Sequence, residues 1–213
     1  MPIGSINARW DKLRAQHRRQ QPEIRARLED FRRVPPDRFF HELVYCLLTP
    51  QSSAVHAGRV QEKLEQFGFR EKDLNPLPFL RQKGTYIRFH RTKSRRLLAM
   101  KAQYPEIQGL LASSLSAFDI RERLVRQVKG LGYKEATHFL RNIGKNQGLA
   151  ILDRHILRNL VEHRVIRSIP PTLTRKRYLA LEAAFQRFAA AIGIPIDEMD
   201  LLFWSRQTGQ ILK

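Results

Sequence analysis

The sequence has one cysteine, Cys46, among 213 residues. A single thiol excludes a disulfide within the chain. It also excludes cysteine-ligated zinc sites and iron–sulfur clusters, because these need several thiolates. Since Cys46 lies in the apolar segment 43–48, we expect a buried, unreactive thiol at this position and no iron–sulfur cluster.

Long apolar segments are also missing. No stretch approaches the roughly 18 apolar residues of a membrane-spanning helix, and residues 1–20 lack the apolar core of a signal peptide. Internal repeats, low-complexity tracts and clean strand-like alternation are absent as well. These absences predict an intracellular, soluble protein without a membrane-spanning segment, in the cytoplasm or nucleoid if the source is prokaryotic.

Acidic residues are scarce relative to basic ones. Lysine and arginine total 39 and aspartate and glutamate total 20, which gives a net charge of +19 and a sequence pI of about 11.0. So large a positive excess opposes compaction of the chain, and binding to a polyanion offsets it. The composition favours nucleic acid or an anionic membrane as partner, with a cationic surface kept for solubility as the alternative.

Helical periodicity dominates the chain and predicts an all-α protein. The length suits one compact domain or two small lobes. We expect two helical lobes with a DNA-binding cleft between them. The central lobe runs from about residue 37 to 125, and the second lobe combines residues 1–36 with residues 126–213, which contain the hairpin described below.

Local signals place the helices. Residues 6–33 predict amphipathic helices, and the nearly all-apolar residues 39–48 predict a buried central helix, although a strand fits the same pattern. A helix opened by Ser52 or Ser53 is expected to carry Val55, Val60 and Leu64 on one apolar face. The other expected N-caps are Ser116, Asp153, and Thr172 or Thr174.

A glycine pair interrupts the helical pattern after residue 128. Gly130 and Gly132 flank Leu131, and glycine tolerates positive φ and the close approach of other atoms. Such a turn exposes backbone N–H groups at the start of the next helix, where a phosphate is favoured. We interpret it as a helix-hairpin-helix that grips the DNA backbone, with a plain tight turn as the alternative.

Lys134 follows this hairpin, and Asp153 comes 19 residues later (153 − 134) in segment 151–155. Lys134 is either one more phosphate-binding lysine or a nucleophile whose free amine attacks the C1′ carbon of a nucleotide and forms a Schiff base. Asp153 is either a helix N-cap alone or also a carboxylate that stabilises positive charge on the deoxyribose. The joint spacing of hairpin, amine and carboxylate favours the catalytic interpretation.

These motifs resemble a known family. GLGYK and ILDRH, together with LLTPQSSA, RFHRTKSRR and DLLFWSRQTGQILK, are similar to the helix-hairpin-helix DNA glycosylases and in particular to the type-2 8-oxoguanine DNA glycosylases. The resemblance covers most of the chain from about residue 37. It implies a DNA repair enzyme that excises 8-oxoguanine through a lysine Schiff base and cleaves the strand by β-elimination. Its substrate would be double-stranded DNA with damaged bases and not a membrane. We also expect a monomer.

The resemblance also implies a role for individual residues. Lys134 is expected to be the Schiff-base nucleophile and Asp153 its catalytic partner. The terminal carboxylate of Lys213 and the rings of Trp204 and Phe89 are expected to contact the flipped base. From the residues alone, Trp204 fits core packing as well, and Lys213 fits a frayed terminus.

Contacts to the DNA strand and to one ion complete the expected site. Gln51 occupies the place where related enzymes insert a side chain into the vacated stack, although a cap or backbone contact fits equally well. A structural Na⁺ or K⁺ ion is expected at main-chain carbonyls, with no other cofactor required. The expected DNA-binding residues are Gly130, Gly132, Gln51, Arg91 and Lys93, and the expected carbonyls are those of Arg126, Val128 and Leu131.

Two rival functions stay open at this point. One is a non-catalytic helix-hairpin-helix module that binds DNA. The other is a glycosylase for different oxidised or alkylated bases, because the hairpin motif does not determine which damaged base is recognised.

Overall fold

The structure is a computed structural model that describes the backbone of residues 4–208 and the side chains of residues 8–206. The described chain is helical and contains no strand, in agreement with the predicted all-α class. A short 3₁₀ turn spans Pro36–Arg38. The helices are α1 Gly4–Arg32, α2 Phe39–Leu48, α3 Ala54–Gln66, α4 Leu77–Leu80, α5 His90–Ala102, α6 Tyr104–Ala112, α7 Ala117–Gln127, α8 Tyr133–Asn142, α9 Arg154–Glu162, α10 Arg175–Ile192 and α11 Ile196–Thr208.

Residues 34–143 form one compact unit built around α2. The predicted central helix is confirmed, because every residue of α2 except His41 is buried, including the free thiol of Cys46. The ring of Phe40 meets those of Phe69 and Tyr104 at centroid distances of 5.9 and 4.9 Å. Helices α3, α5 and α8 all pack on α2, so the segments that precede them are anchored to this core.

The hairpin belongs to this unit. The sequence-based boundary assigned residues 126–143 to the second lobe, but α8 packs against both α7 and α2. The physical reason is the breadth of the buried face of α8, which continues without a break from Ala136 to Asn142. Because α7 and α2 cover this face, α8 belongs to the same unit as these two helices.

The other unit combines α1 with the described residues from Gly144 onward. Glu198 on α11 accepts hydrogen bonds from Arg25 at 2.9 Å and Gln21 at 3.3 Å, both on α1. Gly144 has a φ of +68°, and a Cβ atom there would lie 2.6 Å from the Cα of Arg32. Glycine at this position therefore permits the close approach of the chain to the end of α1.

The predicted N-caps are confirmed, whereas the predicted apolar face of α3 is partly wrong. The side chains of three predicted caps accept a backbone N–H of the following turn at 3.1–3.4 Å: Ser53, Ser116 and Thr174. In α3, Val60 and Leu64 are buried, but Val55 is 60% exposed. Val55 lies five residues before Val60 and so points more than a third of a turn away from the buried face.

Among residues 4–208, no single helix is long and apolar enough to cross a membrane. The pair Arg175–Ile192 and Ile196–Arg206, bent by 97°, meets the requirement by length and composition only.

Candidate active site

The hairpin between α7 and α8 has a tight, glycine-dependent geometry. The amide of Leu131 donates to the carbonyl of Val128 at 3.1 Å, and the Leu131 side chain is buried. Gly130 has a φ of +95°, and a Cβ atom there would lie 2.5 Å from Cδ of Arg96. The positive φ requires glycine at position 130, as the sequence predicted, and a Cβ atom there would also displace the Arg96 side chain.

Gly132 contributes to the hairpin in a different way. Its φ of −87° and ψ of 179° are extended values that any residue adopts. It is the N-cap of α8 and supplies no side chain that accepts the amides of the first turn. These amides and the positive end of the helix dipole favour a bound anion such as a phosphate.

Lys134 lies in the first turn of α8. Its side chain is 28% exposed, so it is partly covered but still accessible to solvent. Its Nζ lies 3.8 Å from Oε1 of Glu135. Glu135 was not predicted as a site residue, although its place next to Lys134 in the sequence offered that signal.

A buried arginine joins the two helices of the hairpin. The side chain of Arg121 on α7 is fully buried, and its guanidinium lies 5.4 Å from the ring centroid of Tyr133. It also donates to Oγ1 of Thr137 at 3.2 Å. Glu122 accepts the hydroxyl of Tyr133 at 2.9 Å. These contacts across the hairpin hold the start of α8, and with it Lys134, in a fixed orientation.

Lys93, predicted to contact DNA, points into the protein instead. Its side chain is 2% exposed, and its amine donates to the carbonyls of Leu48 and Pro50 at 2.6 and 2.7 Å and to Oγ of Ser52 at 3.0 Å. The prediction is wrong because α5 begins at His90, which puts Lys93 on the buried face of the helix.

Burial also changes the ionisation of this amine. Desolvation by burial and, to a smaller extent, the neighbouring charge of Arg96 lower the pKa of Lys93 from 10.5 to about 8. The carboxylate of Glu135 raises it and so opposes both effects. The same three side chains therefore couple α5 electrostatically to the start of α8.

Two other predicted DNA-binding residues, Gln51 and Arg91, and the predicted base-recognition residue Phe89 lie on the surface of this unit. Gln51, Phe89 and Arg91 are exposed, and Phe89 is 49% accessible despite its large apolar ring. A groove of about 510 Å³ runs along residues 86–92. Its lining of exposed rings and guanidinium groups suits unstacked bases and phosphates.

In the other unit, Asp153 is the N-cap of α9, as predicted. Its Oδ1 accepts the amide of Ile156 at 2.8 Å, and its Oδ2 accepts the indole N–H of Trp204 at 3.1 Å. The ring of His155 meets the Trp204 ring edge-on at 6.0 Å. The contact between Asp153 and Trp204 was not predicted, because the two residues are 51 positions apart in the chain.

The segment before Asp153 is held by α10. The hydroxyl of Tyr178 donates to the carbonyl of Ala150 at 2.7 Å and accepts the amide of Leu152 at 3.2 Å. Glu182 accepts the amide of Ala150 at 2.9 Å. Two buried side chains of α10 thus satisfy the main chain of a segment that has no regular partner, and they fix the position of the Asp153 carboxylate.

The remaining predicted residues concern the chain end and the ion. Lys213 lies outside the described residues. The carbonyl of Val128 accepts the Leu131 amide at 3.1 Å, which leaves one of its two lone pairs for a cation. Neutral carbonyls such as those of Arg126, Val128 and Leu131 are hard ligands of low charge and fit Na⁺ or K⁺. Across the described side chains, no group of three or more histidine, cysteine, aspartate or glutamate residues is placed to hold a metal ion.

Comparison with known proteins identifies the family. Residues 24–194 match the model of the family described as 8-oxoguanine DNA glycosylase. The chain belongs to this family. A member from Fusobacterium nucleatum is 34% identical over 97% of this chain and 99% of its own, and one from Methanocaldococcus jannaschii is 35% identical over 87% of each chain. Both carry the name 8-oxoguanine DNA glycosylase/AP lyase.

Solved structures of family members have the same fold. The 8-oxoguanine DNA glycosylase of Thermotoga maritima superposes with a TM-score of 0.84 at 29% identity, over 98% of this chain and 100% of that one. The Methanocaldococcus jannaschii enzyme in complex with a 15mer DNA containing 8-oxoguanine superposes with a TM-score of 0.78 at 32% identity, over 91% and 93% of the two chains. The resemblance seen in the sequence and the all-α helix-hairpin-helix class are confirmed.

Proposed function

We propose that this protein excises 8-oxoguanine from double-stranded DNA and then cleaves the strand at the abasic site. The names of its family relatives and the DNA complex of the Methanocaldococcus jannaschii enzyme support this substrate. The observation that carries the proposal is the partly exposed amine of Lys134 in the first turn of α8, directly after a hairpin whose helix start favours a phosphate.

The reaction begins with extrusion of the damaged nucleotide, because its glycosidic bond is out of reach inside the duplex. The neutral amine of Lys134 attacks C1′, and the bond to the base breaks with its electron pair leaving on the base. Loss of a proton from the nitrogen and opening of the sugar give the Schiff base. Removal of a C2′ proton then expels the 3′ phosphate by β-elimination.

The role proposed for Asp153 follows from its fixed, charged oxygens. As the base departs, positive charge develops on the deoxyribose, and a carboxylate held in place stabilises it without reorganising. The amide of Ile156 and the indole of Trp204 set the orientation of this group. Asp153 therefore serves catalysis and helix capping at once.

Recognition of the base and of the strand is assigned to the remaining predicted residues. We assign base stacking to Trp204 and Phe89 and a hydrogen bond with the purine edge to the terminal carboxylate of Lys213. Gln51 is assigned to the stack vacated by the lesion, and Arg91 to the phosphate backbone. The hairpin glycines permit close approach of a phosphate to the main chain.

No cofactor is required by this chemistry, because the nucleophile and the charge-stabilising group both come from the chain. A monovalent cation at the carbonyls of Arg126, Val128 and Leu131 would rigidify the hairpin and add positive charge near a phosphate. We also propose that the protein acts as a monomer, since the reaction needs one amine and one carboxylate.

A panel of otherwise identical duplexes tests the function. Each carries 8-oxoguanine, an oxidised pyrimidine, an alkylated purine, an abasic site or no damage, and base release and strand cleavage without alkali are both measured. We expect release and cleavage with 8-oxoguanine and cleavage alone at the abasic site. Release of a different lesion alone would favour the rival glycosylase, and binding without any product would favour the non-catalytic module.

A further inference from the structure

Lys93 makes an unusually complete set of hydrogen bonds for a buried lysine. An ammonium group has three donors, and Nζ of Lys93 lies within 3.0 Å of three acceptors: the carbonyls of Leu48 and Pro50 and Oγ of Ser52. Leu48 is the last residue of α2, so its carbonyl has no partner further along the helix. The amine therefore holds the turn of residues 49–53 onto the core.

A second turn is tied to the same group. The amide of Lys93 donates to the carbonyl of Phe89 at 2.9 Å, and Oγ of Ser52 accepts the amide of Arg88 at 3.1 Å. The hydroxyl of Ser52 thus receives one hydrogen bond from the Lys93 amine and one from the turn of residues 86–89. Lys93 and Ser52 together connect the two turns.

Both turns hold a strained residue at the surface. Gln51 has a φ of +55° and Phe89 a φ of +60°, a left-handed backbone conformation that is unfavourable for a residue other than glycine. Such a conformation persists only where the surroundings determine it. Both side chains are nevertheless exposed. Contacts with the core therefore maintain an unfavourable backbone conformation at two residues whose side chains face the solvent.

The surface around these side chains suits nucleic acid. The guanidinium of Arg88 lies 4.9 Å from the ring centroid of Phe89, and Tyr86 on the same groove is 50% exposed. Exposed rings beside fixed cations stack on unpaired bases while they neutralise phosphates. The two turns are placed where displaced bases would contact the protein if this unit binds DNA as proposed.

We infer that Lys93 is a positioning residue that fixes Gln51 and Phe89 in the geometry needed to hold an opened DNA duplex. The inference rests on the proposed function, and it assigns to Lys93 a part in base extrusion rather than in bond cleavage. Covalent attack at an abasic site in single-stranded DNA requires no extrusion and should not depend on Lys93.

The test replaces Lys93 with methionine, which preserves the apolar stem of the side chain and removes the amine. We expect single-turnover release of 8-oxoguanine from a duplex to fall about 10- to 100-fold, a loss typical of a misplaced positioning group. Borohydride trapping on a single-stranded abasic oligonucleotide should stay within about threefold of the wild-type value. Lys12→Met, which removes an exposed charge on α1, is the matched control and should change neither assay.

Two further variants keep the inference testable if Lys93→Met fails to fold. Ser52→Ala removes the shared acceptor and leaves both carbonyls on Lys93, so it should lower duplex excision in the same direction by a smaller factor. Gln51→Ala should slow duplex excision by a smaller factor in the Ser52→Ala protein than in the wild-type protein, because residues that act together are not additive.

The outcomes separate the inference from the proposed function. Equal losses in duplex excision and in single-strand trapping, or full duplex excision by both Lys93→Met and Ser52→Ala, would overturn the role of Lys93. Absence of base release and trapping with the wild-type protein would instead overturn the proposed function.

Discussion

The two hydrogen bonds accepted by Asp153 separate its structural role from its charge. In Asp153→Asn the side-chain oxygen accepts either the amide of Ile156 or the indole N–H of Trp204 but not both. In either orientation the new NH₂ group faces a donor. One hydrogen bond to the charged carboxylate is lost, and its donor now faces another donor. Together these effects should destabilise the protein by about 1–3 kcal/mol.

A second substitution isolates this effect. In the Trp204→Phe protein the indole donor is gone, so the asparagine oxygen turns fully to Ile156. Asparagine caps helices about as well as aspartate, and Asp153→Asn should then cost less than about 1 kcal/mol. The two substitutions are therefore expected to be coupled by about 1–2 kcal/mol.

Denaturant unfolding of the four proteins in this cycle measures the coupling. For a chain of this size, each 1 kcal/mol corresponds to about 2–4 °C in melting temperature, so thermal unfolding provides a check. Excision by Asp153→Asn should fall about 10²- to 10³-fold, because the charge that stabilises the transition state is removed. Additive stability effects would refute the bond between Asp153 and Trp204, and undiminished excision would refute the catalytic charge.

Three other predictions concern the hairpin, the buried lysine and the DNA interface. Gly130→Ala should destabilise the protein more than Gly84→Ala, since both glycines have similar positive φ but only at position 130 does a Cβ atom meet Arg96; equal losses in unfolding experiments would contradict the close approach. Lys93 has a folded-state pKa of about 8, below the ordinary 10.5, so between these values the unfolded chain binds more protons. The free energy of unfolding of the wild-type protein, relative to that of Lys93→Met, should rise as the pH goes from about 8 to 10.5, and this gain should disappear as the pH falls through 8. A free-energy difference that does not change with pH would contradict the lowered pKa of Lys93. DNA affinity should fall steeply as the salt concentration rises, because binding releases counterions from several phosphates. An affinity that is the same at low and physiological salt would contradict the idea that the net charge of +19 serves DNA binding.

Local patterns in the sequence predicted much of the fold. Periodicity predicted the buried helix at residues 39–48, and short polar side chains predicted the N-caps Ser53, Ser116 and Asp153, because both signals act within one or two helical turns. The hairpin was equally local, since Gly130 has to adopt a positive φ.

Features that depend on distant contacts could not be predicted in this way. The hydrogen bond from Trp204 to Asp153 joins residues 51 positions apart, and no periodic pattern encodes it. The left-handed backbone of Gln51 and Phe89 carries no glycine signal, because tertiary hydrogen bonds impose it. The inward side chain of Lys93 was missed for a different reason. It lies in a basic segment, although Leu97 four residues later marks the same buried face of α5.

The nucleophile assigned to Lys134 is the central claim, and covalent trapping tests it directly. Borohydride is added during the reaction with 8-oxoguanine duplex, and the crosslinked protein is quantified for the wild type, Lys134→Gln and the hairpin control Lys129→Gln at saturating DNA. Lys129 is exposed and lies beside Gly130. We expect the wild type and the Lys129→Gln control to form the full amount of crosslinked protein. Lys134→Gln should bind the duplex and trap none of it, whereas undiminished trapping by Lys134→Gln would contradict the assignment.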